Sequence, residues 1–326
     1  MPRPFVALAA VCLVTLAATA CAHEPPAPRP ELRGEPIDVA SPPSGLAKVE
    51  GAWELRSTSP DFGGISAAAL EGDRLWLLSD RSRLFAVPWS WPRAGEVFTI
   101  PILSEELLLD RRGKDLDSEA LVLLPDGGRL VSDEAMDRLV PFPRLGARPD
   151  GASRPVGMRT GSEENQGVEA LARLPNGSLL ALGEAEAGGS GLHDAVSLVG
   201  RSITPHRYRS APGFRPTDAA MAGDYLFVLE RRLSLLGGWQ ARVVAVPLDT
   251  VPQEPDGAIE GRELLRLSGS TLGENYEGLA AVADSAGFRL LVLSDDNFSL
   301  LQRTLLVGLR WSGDETPVAG LATAKP

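Results

Sequence analysis

The sequence predicts an all-β fold, a β-propeller of five blades with four antiparallel strands each. A strand from the N-terminal part of the chain is expected to close the ring. Short β-type runs, separated by Gly, Pro, Asn and Asp, fill residues 46–311 without a convincing amphipathic helix. The runs recur in a fixed order with a period near 50 residues, and repeats of about this length are typical of propellers.

Each repeat has an anchor residue at the start of a first strand and a polar residue at the end of a second strand. The anchors are Ser66, Glu119, Glu169, Asp218 and Glu277, and the second strands end at Asp80, Asp133, Glu184, Glu230 and Asp295. Residues 97–100 and 263–267 are candidate fourth strands. The start of the first strand and the end of the second share one face of a blade, so these side chains are expected at one mouth of the channel.

The spacing of the anchors favours five blades. Successive anchors are 53, 50, 49 and 59 residues apart, and the segments outside them, 46–66 and 277–311, together supply 54 residues. Residues 52–56 are therefore expected to complete the last blade, which closes the ring and protects its edges. Six blades are the alternative, because 266 residues divided by six give about 44, an ordinary blade length.

The N-terminal segment is predicted to be a secretory signal. Residues 1–21 contain Arg3, an apolar run over 5–16 and small residues before Cys21. Residues 18–21 (ATAC) resemble the lipobox of bacterial lipoproteins, which implies that Cys21 carries a lipid. With Ala22 next to it, the resemblance implies the outer membrane, facing the periplasm. An ordinary cleaved signal is the alternative. Residues 22–45 are expected to be a proline-rich tether and 312–326 an irregular tail.

Composition excludes several classes of protein. With a net charge of -11, the protein lacks the excess of basic residues that is typical of nucleic-acid-binding proteins. Two cysteines and three histidines argue against a disulfide scaffold, a zinc site and a histidine relay. The chain has no G-x-S-x-G elbow of a serine esterase. We expect a monomer.

The acidic mouth is the candidate site. Converging like charges raise each other's pKa values, and a hard divalent cation would balance them. Oxygen ligands without histidine or cysteine suit Ca²⁺, with Mg²⁺ as the alternative. The candidate metal ligands are Glu119, Glu169, Glu277, Asp295, Asp133 and Asp218, and the candidate substrate-binding residues are Arg81, Lys114, Arg231, Asn275 and Asn297. A structural role is the alternative, since acids at strand ends often accept backbone N–H bonds.

Several motifs resemble the family described as "esterase-like activity of phytase". They are residues 275–280 (NYEGLA), 291–298 (LVLSDDNF), 302–304 (QRT), 63–66 (GGIS), 117–121 (DSEAL), 166–171 (QGVEAL) and 229–231 (LER). The resemblance covers nearly all of residues 50–311. It implies a secreted or periplasmic β-propeller that hydrolyses phosphoesters or esters, without assigning catalytic residues.

Two functions remain open on the sequence alone. The first is an outer-membrane-anchored, cation-dependent hydrolase of a small-molecule phosphoester or ester. The second is a non-catalytic propeller that binds an envelope ligand or a protein partner, because propellers often serve as binding scaffolds.

Overall fold

Five sheets form a ring, a five-bladed β-propeller, and this confirms the predicted fold class and the number of blades. The computed structural model describes residues 28–144, 146, 148–149, 151–158, 167–186 and 191–313. The predicted signal, Cys21 and residues 314–326 of the predicted tail lie outside the described residues. Within the described residues, no helix is long and apolar enough to cross a membrane.

Blades I to IV each contain at least four strands, which follow one another from the channel outward. Blade I has Ile65–Glu71, Arg74–Ser79, Arg83–Pro88 and Ser104–Leu107. Blade II has Leu121–Leu123, Arg129–Asp133, Arg138–Phe142 and Arg154–Pro155, with the 3-10 helix Glu134–Met136 after its second strand. Blade III has Val168–Arg173, Leu179–Glu186, Leu192–Val199, Ser202–Arg209 and a parallel outer strand, Ala258–Ile259. Blade IV has Arg215–Ala222, Tyr225–Ser234, Gly238–Pro247 and Arg262–Leu267, with the 3-10 helix Leu248–Thr250 and the helix Gly269–Leu272 in its connections.

Blade V joins an early segment of the chain to a late one. Its strands are Tyr276–Asp284, Gly287–Ser294, Leu305–Trp311 and Lys48–Ser57, followed outward by Glu31–Pro36 and Phe98–Pro101. Trp53 pairs with Leu306, so the N-terminal strand closes the ring as predicted.

The outer edge of blade V differs from the sequence prediction in two ways. Glu31–Pro36 falls inside the predicted tether, yet it is a strand with Leu32 fully buried. Phe98 extends this edge instead of completing blade I, where Ser104–Leu107 takes the fourth position. The reason is packing, because Phe98 lies opposite Gly34 and its ring centroid is 6.1 Å from that of Trp53. A Cβ on Gly34 would lie 2.2 Å from the Phe98 ring, so this contact requires glycine.

Small side chains line the centre of the ring. Five strands converge on a narrow channel, and alanine recurs in them at Ala67, Ala120, Ala170, Ala219 and Ala280, each buried. Larger aliphatic residues pack between neighbouring blades, as where Leu229 and Val243 of blade IV share a core with Leu279 and Val292 of blade V. The rigid ring therefore holds the starts of the innermost strands close together.

Candidate functional site

Carboxylates gather at the end of the propeller where the innermost strands begin, which we call the acidic face. The group, named the carboxylate cluster, consists of Asp80, Asp117, Glu119, Glu134, Glu169, Glu184, Glu277 and Asp295, each linked electrostatically to other members. All five blades approach this end, but the cluster draws its acids from blades I, II, III and V.

A β-bulge at the start of the innermost strand sets the first ring of side chains. In four blades the pairing with the second strand skips one residue, and the skipped residues are Ser66, Glu169, Thr217 and Glu277. A bulge re-aims the side chain that it carries. Glu119 is the equivalent residue of blade II, because backbone hydrogen bonds repeat around it.

Those backbone hydrogen bonds also define the second ring. The N–H of Asp80 donates to the carbonyl of Gly64, that of Glu134 to Asp117, and that of Asp295 to Asn275, in each case two residues before the ring residue. With the matching positions of blades III and IV, the second ring reads Asp80, Glu134, Glu184, Arg231 and Asp295.

This register corrects the sequence alignment in blades II and IV by one residue. Asp133 and Glu230 precede the second-ring positions, and Asp218 follows the first-ring position Thr217. Neighbouring residues of a strand face opposite sides, so one residue is enough to remove a side chain from the cluster. Arg231 thus stands where the other blades carry an acid.

Arg231 brings positive charge into the carboxylate cluster. Its Nη1 lies 2.6 Å from Oε1 of Glu277, and its Nη2 lies 3.5 Å from Oε1 of Glu184. Nη1 also donates to the amide oxygen of Asn275, whose Nδ2 donates to Glu277 at 2.7 Å and to Asp295 at 3.4 Å. Arg231 and Asn275, two of the predicted site residues, therefore hold Glu277 in place.

The remaining acids are packed against one another. One carboxylate oxygen from each of Asp117, Glu119 and Glu134 lies within 4.8 Å of the other two. Glu134 also accepts a backbone hydrogen bond from Gly167 at 3.3 Å, and its carboxyl interacts electrostatically with that of Glu169.

Burial and mutual repulsion raise the pKa values of the cluster. Burial is the larger cause for Glu119 and Glu169, with the charges of Glu277 and Glu119 respectively next, and both pKa values lie well above the usual range. Burial, followed by the charge of Glu277, raises the pKa of Asp295 to about 8. Burial likewise raises the pKa of Glu277, although Arg231 opposes the shift. The protein alone thus leaves the cluster short of positive charge.

Other predicted site residues lie outside the carboxylate cluster. Asp133 forms an ion pair with Arg138, with Oδ2 2.6 Å from Nη2. The fully buried Asp218 accepts backbone N–H bonds from Leu279 at 2.6 Å, Ala219 at 2.8 Å and Ala68 at 3.3 Å, and so links three blades inside the channel. The side chain of Asn297 turns away and donates to Gln302, while its backbone N–H caps Asp295.

Arg81 and Lys114 lie near the cluster without an ion pair to its acids among the described residues. The Arg81 guanidinium stacks on Phe298, 3.5 Å from the ring centroid. Lys114 is exposed and lines a cavity of about 510 Å³ that also contacts Asp117 and Asp133. A second cavity, of about 270 Å³, contacts Glu184, Arg231 and Trp239. The cluster is therefore flanked by two open spaces.

The donor set suits a hard divalent cation. Ca²⁺ binds carboxylate oxygens at about 2.3–2.6 Å, and three carboxylates whose oxygens lie within 4.8 Å can surround one ion. The raised pKa values agree with this chemistry, because a bound cation would offset the repulsion that burial leaves uncompensated.

Comparison with known proteins identifies a family. The model of the family described as "Phytase-like: Esterase-like activity of phytase" matches residues 60–298. No curated protein sequence matches the chain.

Several solved structures resemble the propeller at low sequence identity. A thermostable family-43 glycoside hydrolase is 8% identical, with a TM-score of 0.47, over 82% of this chain and 96% of that chain. The Bacteroides ovatus GH43B of a xyloglucan locus is 13% identical, with a TM-score of 0.46, over 81% of this chain and 56% of that chain. Myxococcus xanthus glutaminyl cyclase is 9% identical, with a TM-score of 0.42, over 83% of this chain and 98% of that chain.

Proposed function

The chain belongs to the phytase-like family described by an esterase-like activity of phytase, and from this premise we propose that it is a divalent-cation-dependent hydrolase of small phosphoesters or esters. The carboxylate cluster is the proposed site, and Ca²⁺ is the proposed ion, with Mg²⁺ as the alternative.

One observation carries the proposal. Asp117, Glu119 and Glu134 bring their oxygens within 4.8 Å of one another beside Glu169, although burial raises the pKa values of Glu119 and Glu169. Holding uncompensated acids together in this way costs stability, and a structural acid normally has a bonded partner, as Asp218 and Asp133 have. A site that binds a cation accounts for the arrangement.

The proposed ligands follow from the corrected register. Asp117, Glu119, Glu134 and Glu169 form the first choice, and Glu277 and Asp295 extend the set across the mouth. Asp133 and Asp218 are left out, because Arg138 and backbone N–H groups already occupy their oxygens. A bound divalent cation would polarise a phosphoryl or acyl oxygen and lower the pKa of a water.

The chain's own residues would then position the substrate. Arg231 and Asn275 hold Glu277, and Arg231 supplies positive charge where anionic oxygens would approach. Arg81 and Lys114 remain proposed contacts for anionic groups at the rim, since each lies beside the mouth without an ion pair to the cluster in the described part of the chain. Asn297 acts through its backbone N–H, which caps Asp295.

The proposed location is the cell envelope. A lipid on Cys21 would anchor the protein to the outer membrane on the periplasmic side. Mass spectrometry of the protein extracted from membranes tests this, and an unmodified N-terminus beyond residue 21 would contradict it.

Hydrolysis of a panel of phosphoesters and carboxyl esters, with Ca²⁺ and with EGTA, tests the proposed function. We expect turnover that EGTA abolishes and a rise in the melting temperature on adding Ca²⁺. In Glu119→Gln the turnover should be lost and this rise should shrink to less than half. Glu35→Gln is the matched control, because Glu35 is half-exposed on an outer strand of blade V and pairs with Arg33 outside the carboxylate cluster. A Ca²⁺-induced rise in melting temperature without turnover would favour the non-catalytic binding scaffold. If the unmutated protein shows neither response, the cation site itself is contradicted.

A further inference from the structure

Exposed leucine pairs project from the acidic face on two adjacent blades. The most exposed large apolar side chains of the described residues are Leu235 at 106%, Leu236 at 104%, Leu300 at 104% and Leu301 at 95% of their reference areas. Leu235 and Leu236 form the tip between the second and third strands of blade IV, and Leu300 and Leu301 form the corresponding tip of blade V.

Both tips are built by hydrogen bonds. In blade IV, Ser234 pairs with Gly238 across the hairpin, and its Oγ accepts the N–H of Gly237 at 3.0 Å. In blade V, the N–H of Ser299 donates to the carbonyl of Asp296, and the Asn297 side chain donates to Gln302 at 2.8 Å. The turns are thus fixed while their leucines face solvent, and large exposed apolar groups mark interaction surfaces.

The described chain also begins on this face. Glu31 opens the strand that runs antiparallel to Lys48–Ser57, and its carbonyl accepts the N–H of Thr58 at 3.0 Å. Thr58 follows the strand end that leads to blade I at the acidic face. Glu31 lies ten positions after Cys21, and an extended chain of that length spans at most about 35 Å. A lipid on Cys21 would therefore keep this face near the bilayer.

The base of the blade IV tip carries positive charge. Arg215 and Arg232 line the cavity of about 270 Å³ together with Leu233 and Trp239, and the Arg231–Glu184 pair forms another part of its wall. Arginine binds phosphate oxygens through its fork of N–H donors, and tryptophan favours the interface between headgroups and acyl chains. This side of the tip is complementary to a phospholipid headgroup, which carries a phosphate. A purely apolar protein surface would bring no anionic group to the arginines.

We infer that the propeller docks on a phospholipid bilayer through Leu235, Leu236, Leu300 and Leu301, with its acidic face towards the headgroups. The leucines enter the boundary of the acyl chains, and the arginine-lined cavity receives a headgroup phosphate. Docking of this kind does not depend on hydrolysis, but it places the carboxylate cluster next to the lipid surface.

Fluorescent labels on single cysteines test the docking in the full chain. Cys12→Ser and Cys21→Ser remove the native thiols, and Leu236→Cys or Leu301→Cys then carries an NBD label. Val199→Cys is the matched control, because Val199 is an exposed apolar residue at the opposite end of blade III. The vesicles contain phosphatidylethanolamine and phosphatidylcholine with nitroxide-labelled acyl chains.

We expect labels at 236 and 301 to shift their emission to the blue and to be quenched by the nitroxides, with no change at 199. In the double variant Leu235→Ser, Leu300→Ser, half-maximal quenching should require at least about tenfold more lipid, because apolar burial supplies the binding. Labels at 236 and 301 that stay in water on vesicle-bound protein would overturn the inference. A blue shift without vesicles would assign the tips to contact with a second copy and would also overturn it.

Discussion

The guanidinium of Arg231 in blade IV lies 2.6 Å from the carboxylate of Glu277 in blade V. Burial lowers the pKa of Arg231, but the charges of Glu277, Glu169 and Glu184 outweigh it and raise that pKa overall. The side chain therefore stays charged and offsets part of the repulsion in the carboxylate cluster.

Replacing this cation should destabilise the ring. We expect Arg231→Met to lower the free energy of unfolding by about 3 kcal/mol, because breaking a buried pair leaves a charge without a partner. Urea denaturation in EGTA measures the change. Arg33→Met, which breaks the exposed pair with Glu35, should cost less than about 1 kcal/mol. Equal losses in the two variants would contradict the compensating role of Arg231.

The stability of the cation-free protein should fall as the pH rises from about 4 to about 8. The folded state raises the pKa of Asp295 from 3.8 to about 8, so it binds more protons than the unfolded state in this window. The stabilisation is complete below pH 4 and is lost as the pH passes 8. Melting temperatures in EGTA at several pH values measure the slope, and Asp295→Asn should flatten it. A slope of the opposite sign would rule out the raised pKa.

Glu119→Gln should separate cation binding from folding. Its carboxylate is repelled by four neighbouring acids, so the neutral amide should leave the cation-free protein as stable or up to about 1 kcal/mol more stable. The rise in melting temperature on adding Ca²⁺ should shrink to less than half. Calorimetric titration with Ca²⁺ checks the second part, and unchanged affinity would remove Glu119 from the proposed ligands.

Asp218→Asn should give the reverse result. Both Asp218 oxygens accept backbone N–H bonds, and the amide nitrogen of asparagine would face a donor instead. Each N–H left without an acceptor costs about 1–3 kcal/mol. We expect lower stability in urea with Ca²⁺ affinity unchanged in the protein that remains folded. Loss of Ca²⁺ binding at full stability would return Asp218 to the ligand set.

Gly64→Ala should disturb the rim beside Asp80. Gly64 has a φ of +60°, and an added Cβ would lie 2.3 Å from Oδ1 of Asp80 and 2.4 Å from the Phe298 ring. Gly72→Ala is the matched control, since Gly72 has a φ of +59° with nothing within 4 Å. The backbone strain alone costs about 1–2 kcal/mol. We expect Gly64→Ala to lose more stability than the control, and equal losses would mean that Asp80 moves aside freely.

The fold was predictable from the sequence because it repeats. Five similarly spaced segments each predict the same local structure, so a wrong assignment in one repeat does not change the predicted fold. The strand Lys48–Ser57 was predictable because the count of residues left one blade incomplete. The outer strand Glu31–Pro36 was not, since its burial depends on Phe98 crossing from a distant segment.

The positions of the candidate site residues were predictable only in part. Glu119, Glu169, Glu277, Asp295, Arg231 and Asn275 come together at one mouth as expected from their strand positions. Asp218 was misplaced because a β-bulge shifts the register of blade IV by one residue, which a pattern of similar letters does not reveal. Asp133 was misplaced because it lies one residue before the second-ring position of blade II. Glu134 follows Asp133 directly, and the backbone bond to Asp117 is what selects it.

The closure of blade V determines when the protein can finish folding. Lys48–Ser57 pairs with Leu305–Trp311, so this early segment of the chain cannot complete its pairing before the late one is present. Contacts between such distant segments slow folding, because the loop must close before they form. During synthesis, the edge of Lys48–Ser57 that faces Leu305–Trp311 stays unpaired until the last strand emerges. Chains truncated before residue 305 should therefore aggregate through this edge.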